Sequence, residues 1–78
     1  MAQRTEWTLQ VTGMSCMHCA RTVDEALREV PGVVESTTRH AEGRSVVVAE
    51  PSVSSAALMA AVERAGYRVA GATSRPLD

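Results

Sequence analysis

A chain of 78 residues, 45% hydrophobic and 22% charged, has room for one small core and not for two, which argues against a large catalytic cleft and so against an enzyme. That hydrophobic fraction belongs to a folding sequence, not a disordered one. The net charge is −1, with eight basic residues (all arginine) and nine acidic residues scattered along the chain, and no basic patch interleaved with aromatics singles out nucleic acid as a partner.

Met1-Ala2-Gln3-Arg4-Thr5-Glu6 runs straight into an alternating segment, with no apolar stretch to serve as a signal peptide or membrane span. Read as a native start, it places the protein in the cytoplasm. Trp7, Leu9 and Val11 alternate with Glu6, Thr8 and Gln10, the period-two pattern of a half-buried strand. A loop from Gly13 to Cys19 follows. From Ser15, an expected N-cap, to Val30, the apolar positions Cys19 or Ala20, Val23, Leu27 and Val30 fall at helical spacing. Asp24, Glu25, Arg28 and Glu29 take the other faces, and Pro31-Gly32 ends the helix.

Val33 to Arg39 and Arg44 to Ala49 read as two strands joined by His40-Ala41-Glu42-Gly43, with glycine where a hairpin turn can use it. His40 is assigned to a turn opposite the cysteine loop, facing solvent. Pro51 with Ser52, Ser54 and Ser55 opens a second helix, whose apolar positions Leu58, Ala61, Val62 and Ala65 recur until Gly66. Tyr67 to Gly71 makes a short last strand. Ala72 to Asp78, with Ser74 and Pro76, reads as a flexible tail, so residues 1–78 form a single domain with its core over about 5–71.

The order β-α-β-β-α-β predicts an α+β fold, a ferredoxin-like sandwich of four antiparallel strands with both helices on one face. This order places the run Gly13-Met14-Ser15-Cys16-Met17-His18-Cys19-Ala20 at one end of the sheet, opening the first helix. Cys16 and Cys19 are the only cysteines, and two thiols two residues apart can converge on one soft metal ion where the backbone turns sharply. The partial positive charge of a helix N-terminus favours the thiolate, which is the species that binds metal. In a reducing cytoplasm such a pair is a metal or redox site, and a disulfide across so short a loop would constrain little.

Other uses of Cys-x-x-Cys fit less well. Met17-His18 lacks the proline common between thioredoxin-type cysteines, and the strand order differs, which leaves a thiol redox module as a minor reading. Covalent haem attachment needs His after the second cysteine, where Ala20 stands. A structural zinc site needs four ligands, and His40 is distant in sequence, so Zn(II) ranks below Cu(I) and Hg(II).

A Gly-Met-x-Cys-x-x-Cys loop opening the first helix of a βαββαβ domain resembles the heavy-metal-associated domain family, over roughly Glu6 to Val69. Family members include soluble copper chaperones, N-terminal domains of copper-transporting P-type ATPases, and mercury-binding domains of mercury-resistance systems. The resemblance carries the metal ligands onto Cys16 and Cys19. It makes Met14 a buried residue tethering the loop, although its thioether is also a soft donor. Tyr67 matches an aromatic position packed near the loop, or is simply a strand aromatic covering the sheet. His18, in Cys-x-His-Cys, resembles the loop of bacterial copper chaperones and points to tuning of the thiolates or contact with a partner, beside the plain reading of an exposed loop histidine.

The expected function is thus a soluble metallochaperone that binds Cu(I) and passes it, through a shared three-coordinate intermediate, to a P-type ATPase or another Cys-x-x-Cys acceptor. The alternative is an N-terminal domain that delivers Hg(II) to the catalytic domain of mercuric reductase. The apo protein is expected to be a monomer, with a metal-bridged dimer open to it through two cysteine loops. The strand Val33–Arg39 is more polar than is usual in chaperones, and Arg21, Arg64 and Arg68 offer positive charge around the loop or are solvated surface charges.

Overall fold

A computed structural model describes residues 4–77; Met1–Gln3 and Asp78 lie outside it, and with them the first residues of the expected leaderless start and the last residue of the expected tail. The elements are β1 (Arg4–Thr12), α1 (Met17–Arg28), β2 (Val33–Arg39), β3 (Arg44–Ala49), α2 (Ser55–Arg64) and β4 (Arg68–Leu77). All pairings are antiparallel in the order β2-β3-β1-β4, the expected ferredoxin-like sheet. No helix among the described residues is long and apolar enough to cross a membrane.

Period-two burial in β1 turns Leu9 and Val11 inward, where they meet Val23 and Leu27 of α1, Val47 of β3 and Leu58, Ala61 and Val62 of α2. Ala20, not Cys19, takes the first buried position of α1, which leaves both thiols outside the core. Ser54 caps α2, its hydroxyl accepting from the Ala57 amide at 3.3 Å.

The C-terminus of α2 matters for the site. Gly66, at φ +97°, donates to the Glu63 carbonyl at 3.0 Å, and the Tyr67 amide donates to the Val62 carbonyl at 3.2 Å. This is a Schellman cap, whose left-handed position suits glycine. It ends the helix at a fixed angle and fixes the backbone that carries Tyr67.

Three sequence expectations change. β4 runs on to Leu77 instead of ending at Gly71, because Ala72 to Leu77 pair with Leu9 to Arg4 across a register shift between Gln10 and Val11. Small and polar residues suggested a frayed tail, whereas a long β1 supplies hydrogen-bond partners that local sequence does not reveal. The helix cap is Cys16 and not Ser15, and its side chain makes no capping hydrogen bond.

The hairpin at residues 40–43 also lies at the same end of the sheet as the cysteine loop and not opposite it. Gln10 faces Arg44, and the Val11 amide donates to the Gly43 carbonyl at 2.7 Å. His40 is half-buried there. An antiparallel partner of β1 must begin where β1 ends, a consequence of strand order and not of the turn sequence.

The polar character of β2 has a structural cause. Ser36 and Thr38 face α1, and both hydroxyls donate to Asp24 Oδ1, at 2.6 and 3.1 Å. With its proton committed to Asp24, Thr38 accepts from the buried Ser45 at 2.9 Å. Arg28 closes the network, donating to the Ser36 carbonyl at 3.0 Å and pairing with Asp24 at 3.2 Å. A satisfied network of this kind replaces an apolar seam without leaving polar groups stranded.

Candidate metal centre

The loop between β1 and α1 turns at Gly13, where φ is +92°, and a Cβ built there would lie 3.5 Å from Cδ1 of Tyr67. The ring therefore closes against the loop backbone. Met14 is half-buried and packs on the core, which ties the loop down. Cys16 then takes an extended conformation as N-cap, and Cys19 follows in the first helical turn. The two sulfurs lie 3.5 Å apart, with no disulfide between them.

Cys16 is exposed and Cys19 half-exposed. The Cys19 thiol is lowered from an ordinary 9.0 to about 6. The largest cause is a hydrogen bond from the Tyr67 hydroxyl, followed by one from the Ser15 backbone and one with the Cys16 thiol; modest desolvation opposes them, and the Ser15 side chain, 3.9 Å from Cys19 Sγ, adds a little more. Tyr67 is raised in turn, chiefly by the same bond, so it stays a phenol and keeps its proton to donate. A helix start with no side-chain cap leaves its first amides free to favour negative charge on the same atoms.

The sign for stability follows from linkage. A thiol titrating near 6 when folded and near 9 when unfolded favours the native state fully above pH 9, and this contribution is lost as pH falls to about 6. Replacing Tyr67 by Phe is expected to raise the Cys19 pKa. The pH midpoint of Cys19 alkylation by iodoacetamide then moves upward and the rate at pH 7 falls, while Tyr67→Trp should not restore either. An unchanged midpoint would rule out the phenol as the main donor.

The structure thus gathers Cys16, Cys19, Met14 and Tyr67. His18 sits exposed on the first turn of α1, its carbonyl accepting from Thr22 Oγ1 at 3.0 Å. Among the described residues, no three His, Cys, Asp or Glu side chains are grouped to hold one ion, so His18 does not join the cysteine pair. Ser15, expected only as a cap, proves to be a donor to Cys19. Serine four residues before a cysteine on a helix start is a signal only once the true N-cap is known. The arrangement offers two sulfurs, one largely ionised near neutral pH, on an accessible rim, which suits a soft, exchangeable cation.

Comparison with known proteins agrees with this geometry. The chain is 40% identical over 70 residues to the mercuric reductase of Serratia marcescens, a match covering 90% of the chain but only 15% of that enzyme. It is 33% identical over 70 residues to the copper-exporting P-type ATPase of Bacillus subtilis, covering 88% of the chain and 9% of the transporter. The chain therefore spans a small part of the curated relatives it matches. Among solved structures, the CopZ metallochaperone superposes with a TM-score of 0.79 at 34% identity, covering 82% of this chain and 97% of that one. Oxidized MerP from Ralstonia metallidurans CH34 superposes with a TM-score of 0.81 at 31% identity, covering 86% and 94%. With the model of the heavy-metal-associated domain matching residues 8–68, from the middle of β1 to the first residue of β4, the chain belongs to the heavy-metal-associated domain family.

Proposed function

We propose that this domain binds Cu(I) between Cys16 and Cys19 and passes it to a second Cys-x-x-Cys site by thiolate exchange, without chemical catalysis. The observation that carries this reading is the pair of sulfurs 3.5 Å apart, one held ionised, with no third protein ligand grouped beside them among the described residues. Two thiolates leave a soft d¹⁰ cation open to attack, whereas zinc would lack half of its usual ligands.

Metal–sulfur bonds of about 2.3 Å to sulfurs 3.5 Å apart would meet at about 100°. A linear two-coordinate ion thus requires the sulfurs to separate by about 1 Å, and a trigonal one by about half as much. A shared three-coordinate state is therefore geometrically close to the starting loop. In the exchange an incoming thiol loses its proton to solvent and its sulfur bonds the metal. One cysteine of this domain then releases the metal and takes up a proton when it returns to the thiol form, and copper stays Cu(I) throughout.

The acceptor in this reading is the metal-binding region of a P-type ATPase, and the setting is the cytoplasm. Kinship with copper-transporting relatives and with the CopZ metallochaperone supports it. A second reading, delivery of Hg(II) to a mercuric reductase catalytic domain, is favoured by the identity of 40% and 44% to two such reductases.

An anaerobic competition of the reduced protein for Cu(I) and for Hg(II), each against a thiol buffer and read by native mass, separates the two. Retention of Cu(I) and its passage to a second Cys-x-x-Cys domain supports the first. Loss of Cu(I) with retention of Hg(II) supports the second. His18→Ala is expected to change Cu(I) affinity or transfer rate by no more than about tenfold, the lower end of what groups behind a ligand contribute. Loss of stoichiometric binding in that variant would instead make His18 a ligand.

A further inference from the structure

Because Ala72 to Leu77 pair with β1, β4 is a ten-residue strand, and the order β2-β3-β1-β4 leaves it at an edge of the sheet. Among the described residues no strand pairs with its outer side, where alternate residues hold unpaired amide and carbonyl groups. The opposite edge is guarded. There β2 has only seven residues, a register shift between Val33 and Glu35 leaves Val34 exposed, and Glu35 and Arg39 charge the strand. Bulges and charges of this kind keep an edge from pairing with another chain. By contrast, β4 has no charged residue from Val69 to Ser74, and Arg75 beyond them is already paired with Glu6 at 2.8 Å.

Its own irregularities fix the register in which β4 can meet a copy of itself. Val11 pairs with Val69 and Gln10 with Gly71, so Ala70 is an extra, bulged residue, while Gly71 to Leu77 pair one to one with β1. Pro76 has no amide to give to a ladder. Directly opposed side chains of an antiparallel pair share a face of the sheet, so the two-fold axis of a self-paired strand passes at a residue and not between two. With Thr73 at the axis, the ladder runs from Gly71 to Arg75 of each copy, and Ala70 of one meets Pro76 of the other just beyond each end. Moved one residue either way, a ladder of the same length would take in the bulge or the proline. Arg75 then lies opposite Gly71, which has no side chain to clash with it, and Thr73 lies opposite its twin. That contact continues the row Val46, Thr8, Thr73 across the join, and threonine pairs of this kind favour a sheet.

We infer that β4 is a self-association edge: two copies of the domain pair β4 to β4, antiparallel about Thr73, and their four-stranded sheets join into one. The occupant is a second copy because the edge carries no free charge to select a charged strand, while its bulge, proline, glycine and arginine fall in complementary places. The cysteine loops, beside the start of β4, then point to opposite ends of the joined sheet, so each stays open for exchange. Such a dimer needs no metal and is distinct from a bridge through the cysteines. It replaces the apo monomer expected from the sequence. A ladder this short buries little surface and makes a weak dimer.

The test is sedimentation velocity on the reduced, metal-free protein from micromolar to millimolar concentration, over which the parent is expected to pass from monomer to dimer. Thr73→Lys alone and Thr73→Glu alone set like charges opposite each other, and each should weaken the dimer by at least about tenfold. An equal mixture of the two should regain it. Thr37→Lys, on the same face of the sheet but in the opposite edge strand, should leave it unchanged. Circular dichroism checks that each variant is folded. Hydrogen exchange of the parent needs no substitution: amide protection should rise with concentration in β4 and not in β2.

A parent that stays monomeric at millimolar concentration, a mixture no better than either variant alone, or an equal loss with Thr37→Lys would overturn the proposal. So would a dimer that forms only with Cu(I) and disappears in Cys16→Ser, since that is a bridge through the thiols.

Discussion

Replacing either Cys16 or Cys19 by serine is expected to abolish stoichiometric binding of Cu(I) and Hg(II) in a competing thiol buffer while the domain stays folded. The two sulfurs are the whole ligand set that the loop presents, and a hydroxyl is a poor donor to a soft cation. Loss should therefore go well beyond the about 10- to 100-fold that follows removal of a group behind a ligand. Neither side chain belongs to the core cluster, and no disulfide is lost. At Cys16 a substitution of this surface kind usually changes stability by less than about 0.5 kcal/mol, or roughly 2–4 °C in Tm for a domain of this size, whereas Cys19→Ser also gives up the stabilisation that the lowered thiol supplies above about pH 6. Native mass spectrometry of the loaded protein, with a circular-dichroism melt of the apo form, checks both halves. A serine variant that still holds one metal per chain under the same competition would show that the ligands lie elsewhere.

The opposite outcome is expected for Leu27→Ala, which should cost the domain a large share of its stability while leaving both cysteines in the chain. Leu27 is 0% exposed, on the face of α1 that packs into the core with Val23. Truncating a buried leucine leaves a cavity as well as removing transfer energy, and costs about 3–5 kcal/mol. A domain of this length has a total stability of roughly 4–12 kcal/mol. The variant should therefore lose at least about 10 °C in Tm. The melt must be run without metal, since an unfolded chain with two nearby thiols also binds it and blurs the comparison. With the helix start disordered, Cys19 should titrate near its ordinary value again, which alkylation against pH would detect. A Tm within a few degrees of the parent would mean that the core closes around the gap.

These two predictions lie at different depths of legibility. The cysteine pair was readable because its chemistry depends on spacing within four consecutive residues and on its place at a helix start, both local properties. Leu27, Val23, Leu58 and Val62 were readable because helical periodicity records the side that must leave water. β2 and β3 kept their expected limits, as period-two runs between turns usually do. Asp24 and Arg28, by contrast, read as solvent-facing charges. They are instead the centre of a network that crosses from α1 to β2, because Ser36 and Thr38, twelve and fourteen residues away, supply its donors. Nothing in the local pattern around Asp24 reveals partners at that distance.

By itself, the sequence determined the element order, the apolar faces and a pair of thiols whose spacing suits a soft metal, since each follows from neighbouring residues. Tertiary structure alone decided that Tyr67, forty-eight positions beyond Cys19, closes on the cysteine loop and lowers that thiol, because a helix cap at Gly66 and a turn at Gly13 must first bring the two together. It also decided that the hairpin and its arginines share an end with the metal loop. Strand pairing sets which distant residues become neighbours, and the field around the thiolates is a sum over those neighbours.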